Sequence, residues 1–408
     1  PFMSLTEERP TQQRPAHVRP EQFVDFDVYM PDADPGRYFE GWHSLHAEGM
    51  PDVLWTPRNG GHWIVTRNPL LDEVFADHTR FSSRVILLPK AVGEEHNLLP
   101  TTLDPPEHRP YRNLLNNNLA PRAVGAIEDE IRAIAIELIE GLKPKGKCSF
   151  TREYAEHLPI RVFMKMYGLP VEDAPGVKQL VDHTTRGDGS VTMTEALGKL
   201  ADYLRPHVEA RRGKDGTDFL SRIVNGKIGD RSLNDDEIMQ LSVQILIAGL
   251  DTVVNFLSFI FAFLSRNPEH RQQLVDDPSL IPNAMEEFFR RFPIVVIGRE
   301  VTQDMEYHGA QLKKGDMVCL ATPLGGLDPR DNPDPMRVDF HRAGSRHVTF
   351  GTGPHKCPGA HLARTEIRIT LEEWLKRIPE FRLAPGAEIR YKGGIAAAVE
   401  DVQLVWDV

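Results

Sequence analysis

Apolar positions along the chain fall mainly at helical spacing, and clean alternation is confined to a few short stretches. Helical patterns are predicted at 41–49, 68–77, 121–142, 151–168, 173–185, 192–211 and 217–225, parted by Gly-, Pro- or Lys-rich breaks. Asp104-Pro105-Pro106-Glu107-His108 opens another helix, with proline in its first turn where a missing N–H costs nothing. Val53-Leu54-Trp55 and Trp63-Ile64-Val65 flank Asn59-Gly60-Gly61, a hairpin signal. Residues 84–103 lack periodicity, hold two prolines and read as an irregular loop.

The longest pattern starts at Asn234, where Glu237 three residues on makes a capping-box start, and runs to Asn267-Pro268. Such a helix spans on the order of 45 Å, enough to cross a domain. Gln244, Asp251, Thr252 and Asn255 interrupt its apolar run, and a charge in mid-span is costly in lipid. A buried central helix is therefore expected. Two more helices follow at 268–291, then strand-like alternation at 294–320 with turns at His308-Gly309 and Lys314-Gly315. An irregular stretch at 322–349, a helix at 358–377 and short strands near 389–392 and 402–406 complete the chain. The expectation is one mainly α domain with a small β portion over 21–408, behind a flexible arm at 1–20.

Composition changes this picture little. The chain has 408 residues, of which 40% are apolar and 26% charged, and a formal net charge of -11 argues against a general nucleic-acid binder. Residues 1–20 are polar and proline-rich, with no apolar secretory core. Three well-separated cysteines, Cys148, Cys319 and Cys357, do not make a disulfide framework. A reducing cytoplasm fits best.

Cys357 is the one cysteine in a special setting, Phe350-Gly351-Thr352-Gly353-Pro354-His355-Lys356-Cys357-Pro358-Gly359. The glycines permit backbone geometry closed to other residues. The helix that follows turns its positive end toward the sulfur, which favours a thiolate. On these residues alone Cys357 is a metal ligand, a nucleophile or a buried thiol in a tight turn. Elsewhere, Glu287 and Arg290 can pair on one helix face. Ala248-Gly249-Leu250-Asp251-Thr252 sets a glycine and an acid–alcohol pair inside the long helix, where they are expected to disturb its hydrogen-bond ladder.

The loop has the spacing Phe-Gly-x-Gly-x-His-x-Cys-x-Gly, and at every fixed position it resembles the haem-binding signature of the cytochrome P-450 family. Glu287-x-x-Arg290 is similar to that family's structural pair, and Ala248 to Thr252 to its oxygen-binding helix segment. The likeness covers almost the whole chain and is strongest to the bacterial camphor monooxygenase subfamily, as in Gly60-Gly61-His62-Trp63-Ile64 and Leu312-Lys313-Lys314-Gly315-Asp316. It implies a haem b held between the long helix and the helix after the cysteine loop, with Cys357 as axial iron ligand. Thiolate ligation donates electron density to iron and favours O–O cleavage.

The resemblance further implies that Thr252 hydrogen-bonds bound oxygen and that Asp251 relays protons, with Arg186 and Lys178 as its basic partners. His108, Arg112, Arg299 and His355 match the positions that hold the haem propionates. The matching substrate pocket comprises Leu87, His96, Leu98, Thr101, Thr185, Gln244, Ile247, Ala248, Val295 and Ile395. Departures lie here: His96 replaces a tyrosine that hydrogen-bonds the camphor ketone, Leu87 and Leu98 replace phenylalanines, and Gln244 replaces a leucine. A larger pocket with one hydrogen-bond donor suits a terpenoid or norisoprenoid ketone such as an ionone.

The implied electron donor is an iron–sulfur ferredoxin served by a reductase, docking near Arg109, Arg112, Lys356 and Arg364. Asp72 and Thr79 stand where relatives carry basic residues. The competing classes are a haem protein without oxygenase activity and a helical scaffold with a structural cysteine. Asp251-Thr252 speaks against the first, which has no need of a proton relay, while the second would hold no haem at all.

Overall fold

A computed structural model describes residues 13–186 and 190–408. Its frame is the central helix Asp235–Leu264, whose capping box is formed as expected: Asn234 accepts from the Glu237 N–H, and Glu237 accepts from the Asn234 N–H. Most of its length is buried, including Leu241, Leu250, Leu257 and Ile260, so this long apolar element is a core helix. Helices His157–Tyr167, Ala174–Arg186 and Met193–Glu209 pack on one part of it, and Ala360–Arg377 on another.

The β portion is a five-stranded sheet ordered Val53–Thr56, His62–Val65, Met317–Ala321, Val296–Val301, Phe81–Ser82. The first two strands form the expected hairpin, with Val53 opposite Val65, and Asn59 takes a positive φ of 49° in its turn. Met317–Ala321 runs parallel to His62–Val65 and antiparallel to Val296–Val301. Smaller two- and three-stranded sheets complete the set.

Several expectations shift. The first helix occupies Tyr38–Ser44 rather than 41–49. Pro105 and Pro106 lie before their helix, which begins at His108, because Asp104 is engaged with Ser82 and the Ser83 N–H. The irregular stretches hold short helices at Lys90–Glu94 and Thr322–Gly326. Of the expected arm, residues 1–12 lie outside the described residues, while Val18 is fully buried and the His17 ring lies 6.2 Å from that of Trp63.

Candidate functional site

Glu287 and Arg290, on helix Ile281–Arg291, are both fully buried and pair through two bonds of 2.7 and 2.8 Å. A solvated pair at this spacing contributes only tenths of a kcal/mol, but this one is a hub. Glu287 also accepts from the Asp339 N–H, Arg342 and Ser345. Burial pushes its carboxyl up, but Arg290 above all, with the Asp339 N–H and Arg342, holds it below the usual range. Arg290 donates to the carbonyls of Gly326, Pro335 and Arg337. The segment leading into the cysteine loop is thereby fastened to the helix.

Within the loop, the Cys357 N–H donates to the Phe350 carbonyl at 2.7 Å. Gly353 takes a φ of 65°, and a Cβ there would lie 2.6 Å from the Ala76 backbone, so only glycine fits against helix Asn68–Ala76. Cys357 is accessible, yet its surroundings are enclosed enough to push its thiol pKa up. The N–H groups of Gly359 and Ala360 and the charges of Arg112 and Arg364 oppose that shift. The sulfur therefore lies in a recess whose polar groups favour thiolate, and a metal bound there would complete the shift.

His108, His355, Arg299 and Arg112 gather beside this recess. The two histidine rings are 4.2 Å apart, and Nε2 of each is buried without a hydrogen-bond partner. Burial, with neighbouring positive charge, holds both rings neutral, His108 at about 4 and His355 at about 3. Arg299 is 2% exposed, donates to the carbonyl of its own neighbour Gly298 and is lowered to about 10 by burial. Arg112 donates to Asn116 and to the Lys356 carbonyl. Buried cationic and donor groups with so little carboxylate nearby are what a dianionic ligand requires. The residues fit a haem with its propionates at this cluster.

The expected interruption of the central helix is not a break, since Asp235–Leu264 is continuous. Gly249 serves packing instead: a Cβ there would fall 2.2 Å from the Phe163 ring. Thr252 Oγ1 donates weakly to Ala248 O at 3.4 Å. Gln244, Ala248 and Thr252, spaced four apart, form an accessible stripe in the middle of an otherwise buried helix.

Asp251 faces away from that stripe and is 1% exposed. Arg186 grips it with two bonds of 2.6 Å, Lys178 approaches to 3.4 Å and Asn255 donates at 2.8 Å. These partners outweigh burial and hold its carboxyl at about 2. Sequence reasoning missed Asp182, which accepts from both Lys178 and Arg186. Its spacing of four residues from each was the available signal.

Among the pocket candidates, Leu98, Thr101, Gln244, Ile247, Ala248, Val295 and Ile395 are accessible or partly so, and Thr101 donates to Gln244 at 3.4 Å. Leu87 and Thr185 are buried, and the Thr185 hydroxyl bonds back to its own helix at Val181. The Ile395 N–H donates to Thr185 O, and Val295 bridges to Ala396, so these three lie together. His96 is 8% exposed, and neither ring nitrogen has a partner. Burial lowers its pKa, so the ring is neutral and offers one N–H.

Comparison with known proteins shows the family and the fold. The family model described as Cytochrome P450 matches residues 192–389. A protein of Sinorhizobium fredii named "Probable cytochrome P450 127A1" is 33% identical over 404 residues, 96% of each chain. The vitamin D(3) 25-hydroxylase of Pseudonocardia autotrophica is 32% identical over 361 residues, 85% of this chain and 87% of that one. The crystal structure of CYP101J2 superposes with a TM-score of 0.89 at 44% identity, covering 97% of this chain and 100% of the other. Fold, cysteine loop and full-length likeness agree: this chain is a member of the cytochrome P450 family, and a monooxygenase.

Proposed function

We propose that this monooxygenase hydroxylates a C–H bond of a small hydrophobic ketone, a terpenoid or norisoprenoid of ionone type rather than camphor. Haem b, held by Cys357 and the cluster of His108, Arg112, Arg299 and His355, supplies the dioxygen chemistry when bound. The chain supplies the rest. The accessible stripe of the central helix and the side chains of Leu98, Ile247, Val295 and Ile395 exclude water and hold an apolar body. Thr252 Oγ1, only weakly engaged, is free to hold a proton at the reacting face. Asp251, gripped by Arg186 and Lys178, passes protons inward when those side chains swing toward solvent, where Asp182 is half-exposed.

One observation carries the substrate class: a buried neutral imidazole with both ring nitrogens unpartnered. The other pocket positions are apolar except for Gln244 and for Thr101 and Thr185, whose hydroxyls are bonded to backbone carbonyls. An unpartnered buried donor costs free energy, which a substrate carbonyl would offset. Electrons are proposed to come in the cytoplasm from an acidic ferredoxin docking near Arg109 and Lys356, both exposed, and Arg112, since complementary charge speeds encounter. Titrating the ferric protein with camphor and with an ionone tests the substrate class through the low- to high-spin change. Tighter binding and a larger shift with the ionone are expected; the reverse order overturns the assignment.

A further inference from the structure

The resemblance places Arg364 among the basic groups that meet an electron donor, but its guanidinium, though its side chain is 32% exposed, is engaged by partners of its own chain. Nε donates to Glu286 Oε1 at 2.7 Å and Nη2 to Oε2 at 3.1 Å. The same plane lies 4.5 Å from the centroid of the Phe350 ring and 5.1 Å from that of Phe289. Those two rings meet edge-on at 4.8 Å. Phe350 is the first residue of the signature, and its carbonyl accepts the Cys357 N–H. The entry limb of the loop is tied to the same helix by two further bonds. His347 Nε2 reaches Glu286 Oε2 at 3.2 Å, and Thr349 Oγ1 donates to Phe289 O at 2.6 Å. Partner by partner, Glu286 orients Arg364, Arg364 stacks on Phe350, and Phe350 holds the backbone N–H of the cysteine.

We propose that Arg364, oriented by Glu286, is a positioning residue for the axial cysteine: it clamps Phe350, and through its carbonyl the Cys357 N–H, instead of meeting the electron donor. Only a planar, forked cation can form a bidentate pair and stack on a ring at the same time. Lysine keeps the charge that docking would use but loses both contacts. Glu286→Gln keeps Arg364 and even frees its charge, yet removes the group that orients it. The two explanations therefore part on these variants.

The inference rests on Cys357 being the haem ligand, and the experiment separates the two. Holoprotein with bound haem is reduced with dithionite under carbon monoxide, with no ferredoxin present. The strongly red-shifted band of thiolate ligation is then followed in mild urea as it decays to the short-wavelength form. Wild type without the red-shifted band would sink the ligand assignment itself. With that band present, Arg364→Lys and Glu286→Gln are expected to lose it roughly tenfold faster than wild type, the lower end of what outer hydrogen-bonding partners of metal ligands cost on mutation. A pure docking residue has no bearing on this readout, so wild-type decay rates in both variants overturn the proposal. Faster decay in Arg364→Lys alone overturns the part assigned to Glu286. Should Arg364→Lys fail to retain haem, Glu286→Gln decides the matter.

Discussion

Replacing Asp251 with Asn keeps the side chain's size and removes its charge. The carboxyl is held at about 2 against an ordinary 3.8, a difference worth about 2 kcal/mol of stability at neutral pH. Breaking a buried ion pair costs about 3–5 kcal/mol when the remaining charge is stranded. Here Asp182 still accepts from both Arg186 and Lys178, so the lower figure governs. The variant is expected to lose about 2 kcal/mol, read from the urea midpoint at unchanged slope. Because the folded carboxyl titrates below the unfolded one, its contribution is complete above about pH 4 and is lost as pH falls through about 2. That portion of the acid limb should vanish in the variant. Substrate affinity should hold, since Asp251 lies off the accessible stripe. Turnover should fall by about 100-fold or more, the range for loss of a positioned proton donor. Product formation with a reconstituted reductase and ferredoxin measures this, alongside the spin-state titration. A loss of turnover below about tenfold, together with the expected loss of stability, would refute the relay and leave Asp251 a purely structural anion.

Thr252→Ala should leave substrate binding intact while less product and more hydrogen peroxide form per electron pair consumed; equal coupling counts against a proton held at Oγ1. Gly249→Ala gains about 1 kcal/mol of helix propensity but drives a methyl into Phe163, and overpacking costs about 1–3 kcal/mol. Net destabilisation is expected, with recovery in Gly249→Ala/Phe163→Leu; a single variant more stable than wild type would show that the ring yields freely.

Features decided within a few residues were legible in the sequence. The capping box at Asn234, the hairpin at Asn59-Gly60-Gly61 and the fixed spacing of the cysteine loop each carry their information locally. What a side chain meets across the fold was not. Gly249 reads as a weak point of a helix until Phe163, from a helix almost ninety positions earlier, is seen against it. Glu287 and Arg290 announce a pair, but the carbonyls at 326, 335 and 337 that make it a hub come from an irregular stretch without periodicity. Arg364 follows the loop so closely that its charge suggests a surface role, and only the tertiary placement of Glu286 and Phe350 assigns it elsewhere. Strands such as Phe81–Ser82 and Ala398–Val399 are two residues long, too short to show a period of two.

The two buried charge clusters differ in a way that says which one needs a ligand. Around Asp251, two cations meet two carboxylates, and Asp251 is lowered and Arg186 raised, each toward its charged form. Around Arg299, a guanidinium and two histidines gather with Asp104 as the acidic neighbour, and burial shifts all three toward neutrality. The first cluster balances within the chain, whereas the second is a cost carried until an anion arrives. Arg299→Leu should therefore act in opposite directions on the two forms of the protein. Without haem, removing an unpaired buried charge should leave stability equal or higher. With haem, loss of a charge-assisted bond of about 1.5–3 kcal/mol should speed haem transfer to an apoglobin acceptor by about 10- to 100-fold. A variant that is less stable without haem and releases haem no faster would show that Arg299 serves the fold and not the propionates.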